Sequence, residues 1–485
     1  MKGEAGEGMA RSQWNRLIGG GYRCVARAIS KALAPAILAR HPQWRWQQAI
    51  FEGLKQTGGV IPTRVGSDAQ GSLIWFHAAS AGELEMLWSV ARAMRTLPEF
   101  ASAQFALSVF SPSGATRLAR FQTDFSTVYC GPSPWEGEWR EFLGEMERRA
   151  GNIPSCFITA KYECWPELWD TLAMRGIPLF LVNAEWRSSL RWGSRLTRWI
   201  FKRLPRSYFF TVSPAACESI STVCGFAEAR PSGDPRWDQV AQRLGRTHPR
   251  VEELRKLGEN AALPRPWVVV GSAWKEDLET LLSASISGGF SGTFWVVPHR
   301  PSPAQCRDWW DRIEGFVPGA ACLSMQQSIE EGLAPVQGTS ARGSFRSLED
   351  SSKAHPVNRP SFRVVLVQEM GILAELYGIG DAAWVGGGFR TGLHSVIEPA
   401  LSELWIAAGA ARSGKYPEVP ELVHQKQLRL VDGVEAARRW LAEIRERPTD
   451  ALRSEWRRWR SEVHLGASER IARRAAEIVS GSRRV

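Results

Sequence analysis

The sequence predicts an α/β protein of two domains, each a parallel sheet covered by helices on both faces. Three observations carry that expectation. Short apolar runs alternate with segments of helical period along most of the chain, 485 residues exceed what one core of about 150 residues holds, and one turn-rich stretch interrupts the series near residues 235–245. With 44% hydrophobic and 23% charged residues the composition is globular, and 23 tryptophans supply much ring surface for burial or interfaces.

The first strand is "LIWFHA", residues 73–78, and the turn "ASAG" leads from it into a helix whose apolar positions are Leu84, Leu87, Val90, Ala91, Met94 and Leu97. The alternation then repeats in "QFALSVFS" before "GATRLARF", "SCFITA" before "CWPELWDTLAMRG", "PLFLVNA" before "SLRWGSRLTRWIFKRL", and "SYFFTVS" before "PAACESISTVCG". After the interruption "RPSGDPRWDQVAQRLGRTHPR" it resumes in "PRPWVVVGSAWKEDLETLL", "GTFWVVPHRPSPAQ", "FRVVLVQEMGILAELYGIG", "DAAWVGGG" and "HSVIEPALSELWIAAGA". Residues 46–238 are thus expected as one domain and 239–450 as another. Within the second, 325–362 loses its apolar period to Ser, Gly, Pro and charge, as a flexible insertion does. Residues 451–485 are expected as a basic C-terminal helix that crosses back onto the first domain.

The formal charge of +11 implies an anionic partner or simply a basic surface. Basic residues gather at the two ends, including Arg16, Arg23, Arg27, Lys31, Arg40 and Arg45, rather than in one tract, which favours a membrane surface over nucleic acid. Between Trp14 and Arg40 they interleave with Leu17, Ile18, Tyr22, Val25, Ile29 and Leu33, so residues 1–45 are expected as an amphipathic segment on a membrane or packed on its own domain. No window reaches the roughly 20 uncharged apolar residues of a spanning helix. The eight cysteines show no CxxC or metal-like spacing, which points to reduced thiols and no metal. GxxxxGK[ST] does not occur, so a nucleoside triphosphatase of the phosphate-loop kind is not expected.

Open parallel sheets bind ligands at the carboxyl ends of their strands, so side chains just after strands matter most. Glu83 stands there, in the first turn of a helix whose dipole keeps a carboxylate ionised and able to accept a proton. Gly82 leaves the turn open, and Ser80 with Glu83 also matches the S-x-x-E capping box, so base and cap are both open readings on spacing. "SPSG", Ser111 to Gly114, places Ser111 and Ser113 at a helix start, suited to phosphate or to ordinary capping. In the second domain Ser272 ends one strand and His299 with Arg300 ends the next, where a cation can neutralise a phosphate. "VGGGFRTGLHSVIEP" adds the glycine cluster at Gly387, His394 at a helix start and Glu398 one turn on, placed to accept bonds from ribose hydroxyls.

Together and in this order these stretches resemble the 3-deoxy-D-manno-octulosonic acid (Kdo) transferases, glycosyltransferase family 30, which have the two-domain GT-B fold with a cleft between two Rossmann-like domains. The likeness runs from about Trp44 to Val431. "HAASAGE" resembles the family's H-A-x-S-x-G-E, "SPSG" its S/T-P-T/S-G, and "KYECWPELW" with "RGIPLFLVNA" its E/K-x-E-x-W-P-N and G-I-P-x-x-x-V-N-A. "SGDPRWDQV" resembles G-D-x-R-F-D, "GSAWKEDLE" resembles G-S-T-x-x-x-E-E, and "QEMGILAELYGIGDAAWVGGGF" with "GLHSVIEPA" covers the glycine-rich and G-x-H-N-x-x-E-P-A patterns.

The resemblance implies an inverting, metal-independent transfer of Kdo from CMP-Kdo to a lipid A precursor in lipopolysaccharide synthesis, at the cytoplasmic face of the bacterial inner membrane. Attachment there is peripheral or monotopic, with no nucleic acid and no cofactor beyond the donor substrate. It makes Glu83 the general base, puts Ser80, Gly82, Ser111, Ser113, Gly114, Lys161 and Glu163 on the acceptor side, and puts Ser272, His299, Arg300, Gly371, Gly387, His394, Ser395 and Glu398 on the CMP side. Ser395 replaces the usual Asn, Lys161 stands where many members have Glu, and "SELWIAAGAARSGKYPE" lacks the family's G-x-P-V and G-P-x-x-x-x-F patterns. The alternatives are a GT-B enzyme for another nucleotide sugar and an inactive lipid-binding descendant.

Overall fold

The structure, a computed structural model, describes residues 71–482 apart from 116, 136, 162–164, 185–205, 225–227, 246, 301, 317–320, 325–360, 391, 412, 414–415 and 447. The expected segment 1–45, the helix expected from "SLRWGSRLTRWIFKRL", nearly all of the expected insertion and Glu163 lie outside the described residues. Two compact units emerge, Met1–Gln239 with Ser461–Val485, and Val240–Arg460.

The first unit holds strands β1 (Leu73–Ala78), β2 (Gln104–Val109), β3 (Thr127–Pro132), β4 (Pro154–Ala160), β5 (Leu179–Ala184), β6 (Ser207–Thr211) and β7 (Glu228–Pro231). The second holds β8 (Trp267–Ala273), β9 (Thr293–Pro298), β10 (Ala321–Ser324), β11 (Arg363–Val367), β12 (Ala382–Val385), β13 (Trp405–Gly409) and β14 (Leu428–Val431). The helices that position the sites are α1 (Ala81–Arg95), α2 (Trp139–Ala150), α3 (Lys275–Gly288), α4 (Asp450–Val463) and α5 (Ala467–Ser482).

Each sheet is parallel throughout, in the order β3-β2-β1-β4-β5-β6-β7 and β10-β11-β9-β8-β12-β13-β14. This is the doubly wound arrangement the alternation predicts, and helices on both faces leave β1 buried along its whole length. Polar groups inside it are paired: Ser108 Oγ accepts from Trp75 Nε1 at 3.0 Å and lies 3.0 Å from His77 Nδ1, and Thr159 Oγ1 donates to the His77 carbonyl at 3.0 Å. His77, the first residue of "HAASAGE", is thus a buried sheet residue. Four strands that the alternation did not anticipate, β3, β7, β10 and β14, are the edge strands of the two sheets.

The tract expected as one C-terminal helix is two, because Gly466 takes a left-handed φ of +78° and ends the period between α4 and α5. In the second unit α4 is anchored by Trp456 in the core and by Arg460, whose guanidinium donates to the Ala400 carbonyl at 3.0 Å and to Glu403 at 3.2 Å. In the first unit α5 sends Ile471, Ala472, Ala475, Ile478 and Val479 into the apolar cluster that contains Leu84, Leu87, Val90 and Ala91 of α1. Each isoleucine or valine so buried contributes about 1.5–3 kcal/mol.

The motif "SGDPRWD" holds α5 in place. Asp238 accepts from the backbone N–H groups of Gly466 at 2.6 Å and Ser468 at 2.7 Å, filling two donors that a helix start leaves without a partner. Trp237 stacks on His464 at 4.6 Å and 3°, and Arg470 donates to the Ser232 carbonyl at 2.8 Å. Asp234 is buried, which opposes its ionisation, but the Arg236 guanidinium and N–H beside it, with His464, hold its carboxyl below the usual range. Among the described residues no helix is long and apolar enough to cross a membrane.

Asp238→Ala removes both caps of α5 and should destabilise the first unit by about 2 kcal/mol, with Asp238→Asn intermediate because one amide oxygen still accepts. Urea denaturation followed by tryptophan fluorescence measures it. An unchanged midpoint for Asp238→Ala would show that apolar packing alone seats the helix.

Candidate active site

In a doubly wound sheet the chain leaves a central strand in one direction and later returns on its other side, so the loops part where the order reverses. In the first unit that point lies between β1 and β4, flanked by β2. The loops that end these strands carry Ser80 to Glu83, Lys161, and Ser111 to Gly114 respectively.

Glu83 sits in the first turn of α1, 9% exposed. Its Oε2 accepts the Ala79 N–H at 2.7 Å, while its own N–H donates to Ser80 Oγ at 3.4 Å. The predicted capping box therefore forms in a shifted version, the carboxylate reaching one residue before the cap. Its consequence is a carboxylate fixed against the end of β1 rather than swinging into solvent. The "SPSG" loop meets the same helix end: Ser113 Oγ accepts the Ala81 N–H at 3.3 Å and lies 2.8 Å from Ser111 Oγ. Three hydroxyls and one carboxylate thus surround the α1 N-terminus, where the helix dipole favours anionic charge.

The two glycines of these turns differ in kind. Gly114 is required by packing, since a Cβ there would lie 2.3 Å from Val109 Cγ1. Gly82 is exposed, and a Cβ there would meet nothing within 4 Å, so no clash inside the unit demands glycine beside Glu83. Lys161, half-buried at the end of β4, takes a left-handed φ of +61° while its N–H bonds the Val182 carbonyl at 2.9 Å, and the neighbouring Asn183 takes +53°. Non-glycine residues held in that region cost of order 1 kcal/mol each and cluster at functional sites. Glu167 of "WPELW" serves the fold instead. Buried at 1% exposure, it accepts the N–H groups of Gly137, Trp139 and Arg140 at 2.8, 3.0 and 3.3 Å, capping α2.

In the second unit the order reverses between β8 and β12. Ser272, at φ +49°, lies at the end of β8, and Gly386 packs so closely that a Cβ would come 2.3 Å from the Ser272 carbonyl oxygen. Asp277 organises the region, although sequence reasoning did not single it out. Its Oδ2 accepts the Trp274 N–H at 2.9 Å and the Gly387 N–H at 3.0 Å, and its Oδ1 accepts Trp384 Nε1 at 3.0 Å. Burial raises its carboxyl above the ordinary range even against these three donors. The available signal was an acidic residue three positions into a helix that follows a strand.

Beside it Trp274, His299 and His394 form a continuous stack. The Trp274 and His299 rings lie 4.9 Å apart at 21°, the His299 and His394 rings 4.6 Å apart at 30°, and Trp274 Nε1 donates to His394 Nε2 at 3.3 Å. Burial first and Arg300 second hold His299 below its ordinary titration, and burial first and His299 second do the same for His394. The Ser395 hydroxyl donates to Glu398, occupying part of that carboxylate. Gly371, exposed at φ +85°, accepts from Arg243 through its carbonyl. Among the described residues no hydrogen bond joins Gly371 or the Arg300 side chain to this stack.

A family model described as 3-deoxy-D-manno-octulosonic-acid transferase matches residues 52–239. The Kdo transferase of Haemophilus influenzae is 23% identical over 73% of this chain and 74% of its own. A probable mitochondrial Kdo transferase of Arabidopsis thaliana is 24% identical over 79% of this chain and 78% of its own. Among solved structures, one from Listeria monocytogenes named for UDP-N-acetylglucosamine 2-epimerase overlays 85% of this chain and 96% of that one with a TM-score of 0.52 at 10% identity. The UDP-GlcNAc 2-epimerase of Neisseria meningitidis overlays 84% of this chain and 100% of that one with a TM-score of 0.50, also at 10% identity. With its two parallel-sheet units and these relatives, the chain is a glycosyltransferase of GT-B fold that is similar, over about three quarters of its length, to 3-deoxy-D-manno-octulosonic acid transferases.

Proposed function

We propose that this glycosyltransferase moves Kdo from CMP-Kdo onto a sugar hydroxyl of a lipid A precursor, with inversion at the anomeric carbon and Glu83 as the general base. The observation that carries the proposal is the Glu83 carboxylate, fixed by the Ala79 N–H at the mouth of β1 where the first sheet reverses its order. In a single displacement the acceptor oxygen bonds the anomeric carbon as its proton passes to Glu83. The bond from that carbon to the CMP phosphate breaks, and its electron pair leaves with the phosphate.

The first unit supplies the acceptor side. Ser111 and Ser113 offer hydroxyls to a polar headgroup, and Gly82 leaves room for one to approach the carboxylate. The second supplies the donor side: Ser272, the Gly387 loop, His299, Arg300 and His394 face the nucleotide phosphate with donors and one fixed cation, and Glu398 accepts from ribose hydroxyls. Neutral N–H groups and Arg300 balance the departing phosphate without requiring a metal ion. The basic ends support peripheral attachment to an anionic membrane, at the cytoplasmic face where a lipid acceptor is reached from the aqueous side.

Purified chain incubated with CMP-Kdo and a lipid A precursor should release CMP and form a Kdo-lipid product, measured by chromatography and mass spectrometry. Thermal unfolding should rise with CMP and not with UDP or GDP, by the ordinary linkage of a ligand to the native state. No product, no CMP release and stabilisation by UDP alone would transfer the site to another nucleotide sugar.

Flotation with vesicles containing anionic phospholipid tests attachment. Removal of residues 1–45 should reduce the bound fraction several-fold at low salt, with the effect fading as salt screens the charge. Undiminished binding would assign attachment to other residues.

A further inference from the structure

The stack of Trp274, His299 and His394 fixes a protonation state that glycosyl transfer alone does not require. An indole N–H only donates, so at 3.3 Å from Trp274 Nε1 the Nε2 atom of His394 must accept. An imidazole that accepts at Nε2 carries its proton on Nδ1. We propose that Trp274 is a positioning residue that holds the His394 ring as its neutral Nδ1–H tautomer, so that the second unit meets an anionic ligand with one directed N–H instead of an imidazolium charge.

The surroundings favour the same state. A second proton on His394 would set two N–H groups against each other at the Trp274 contact and place a charged ring 4.6 Å from His299, itself beside Arg300. The other charged and titratable groups on the elements meeting here are already engaged. Asp277 is held by three donors, Glu276 pairs with Arg390 at 2.8 Å, and Glu398 takes the Ser395 hydroxyl and acts on buried Tyr377. Tyr416 stands at Gly392, where an added Cβ would meet its hydroxyl at 3.1 Å. The bonds that these groups make run to other partners, so none of them draws a second proton onto His394. Trp274 is itself fixed, since its N–H is bonded to Asp277 and its ring is stacked on His299, so the indole donor has a set direction.

Functionally, a neutral donor grips a phosphate through one directed bond and lets it go as the product departs, whereas an imidazolium would bind the leaving nucleotide more tightly as the pH falls. The direction of the His394 shift sets the window. The ring's ordinary value is 6.5 and its value here is lower, so the neutral form persists as pH falls through 6.5 and the site keeps its character there. The proposal rests on reading this unit as the nucleotide-sugar side.

The test uses the full chain labelled with nitrogen-15 at histidine, the His394 signals being identified by their loss in His394→Gln. In the wild type the ring should show a protonated Nδ1 and an unprotonated Nε2, and should remain so below pH 6.5. In Trp274→Phe its titration should move upward, and CMP affinity measured by calorimetry should rise about tenfold between pH 8 and pH 6, against less than about twofold in the wild type. A proton on Nε2 in the wild type, or an unmoved titration in Trp274→Phe, overturns the assignment. Should Trp274→Phe fail to fold, the wild-type spectrum alone decides the tautomer. Should CMP not bind the wild type at all, the nucleotide reading falls while the ring titration still decides the role of Trp274.

Discussion

Everything functional in this chain depends on one constraint: in a parallel sheet with helical crossovers, all strands end at the same edge, and neighbouring loops part where the strand order reverses. In the first unit that point brings the ends of β1 and β4 together, and with them Glu83, Ser80 and Lys161. In the second it brings together the ends of β8 and β12, and with them Ser272, Trp274 and the glycine loop at Gly387. Each set joins stretches far apart in sequence, and neither needs a special loop architecture. The buried strands set where the edge lies, and the first residues beyond each strand acquire the chemistry.

Buried carboxylates then fix those first residues. Asp277 ties Trp274, Gly387 and Trp384 to one side chain, Glu167 caps α2 through three N–H groups, and Asp238 caps α5 through two. A carboxylate taking several N–H donors offsets its desolvation and makes the turn around it rigid. Glu83 takes one such donor, the Ala79 N–H at 2.7 Å, in a different place. It sits beside exposed Gly82 and the Ser111 and Ser113 hydroxyls at a strand end, whereas Asp238 joins two segments of the unit's own core.

What was legible in the sequence followed from periodicity. The central strands β1, β2, β4 to β6, β8, β9 and β11 to β13 are short apolar runs between helical segments, because both of their faces are buried. The edge strands escaped, for an edge strand such as β7, "EARP", needs no continuous apolar pattern. The strand-end residues, Glu83 and Ser272 among them, were legible for the same reason as their strands. Contacts across long sequence separation were not. Nothing local announces that Asp238 caps a helix beginning at Ala467, that Trp237 stacks on His464, or that Trp274 reaches His394. "SGDPRWD" stood out as a motif, yet its role in clasping α5 emerges only when mid-chain residues 232–238 and the C-terminal helix are folded into one unit. Glycines mislead in the same way: Gly82 and Gly114 look alike in sequence, and only the neighbours of a Cβ distinguish packing from open space.

The central claim is that Glu83 removes the acceptor proton rather than merely capping α1. Steady-state turnover of Glu83→Gln with saturating CMP-Kdo and lipid acceptor separates the two roles, because the amide oxygen can still accept the Ala79 N–H and so keep the turn. A fall in kcat of at least about 100-fold, with unchanged thermal unfolding and unchanged CMP affinity, is the result the account predicts. Wild-type turnover in that variant would contradict it and leave the carboxylate as a helix cap.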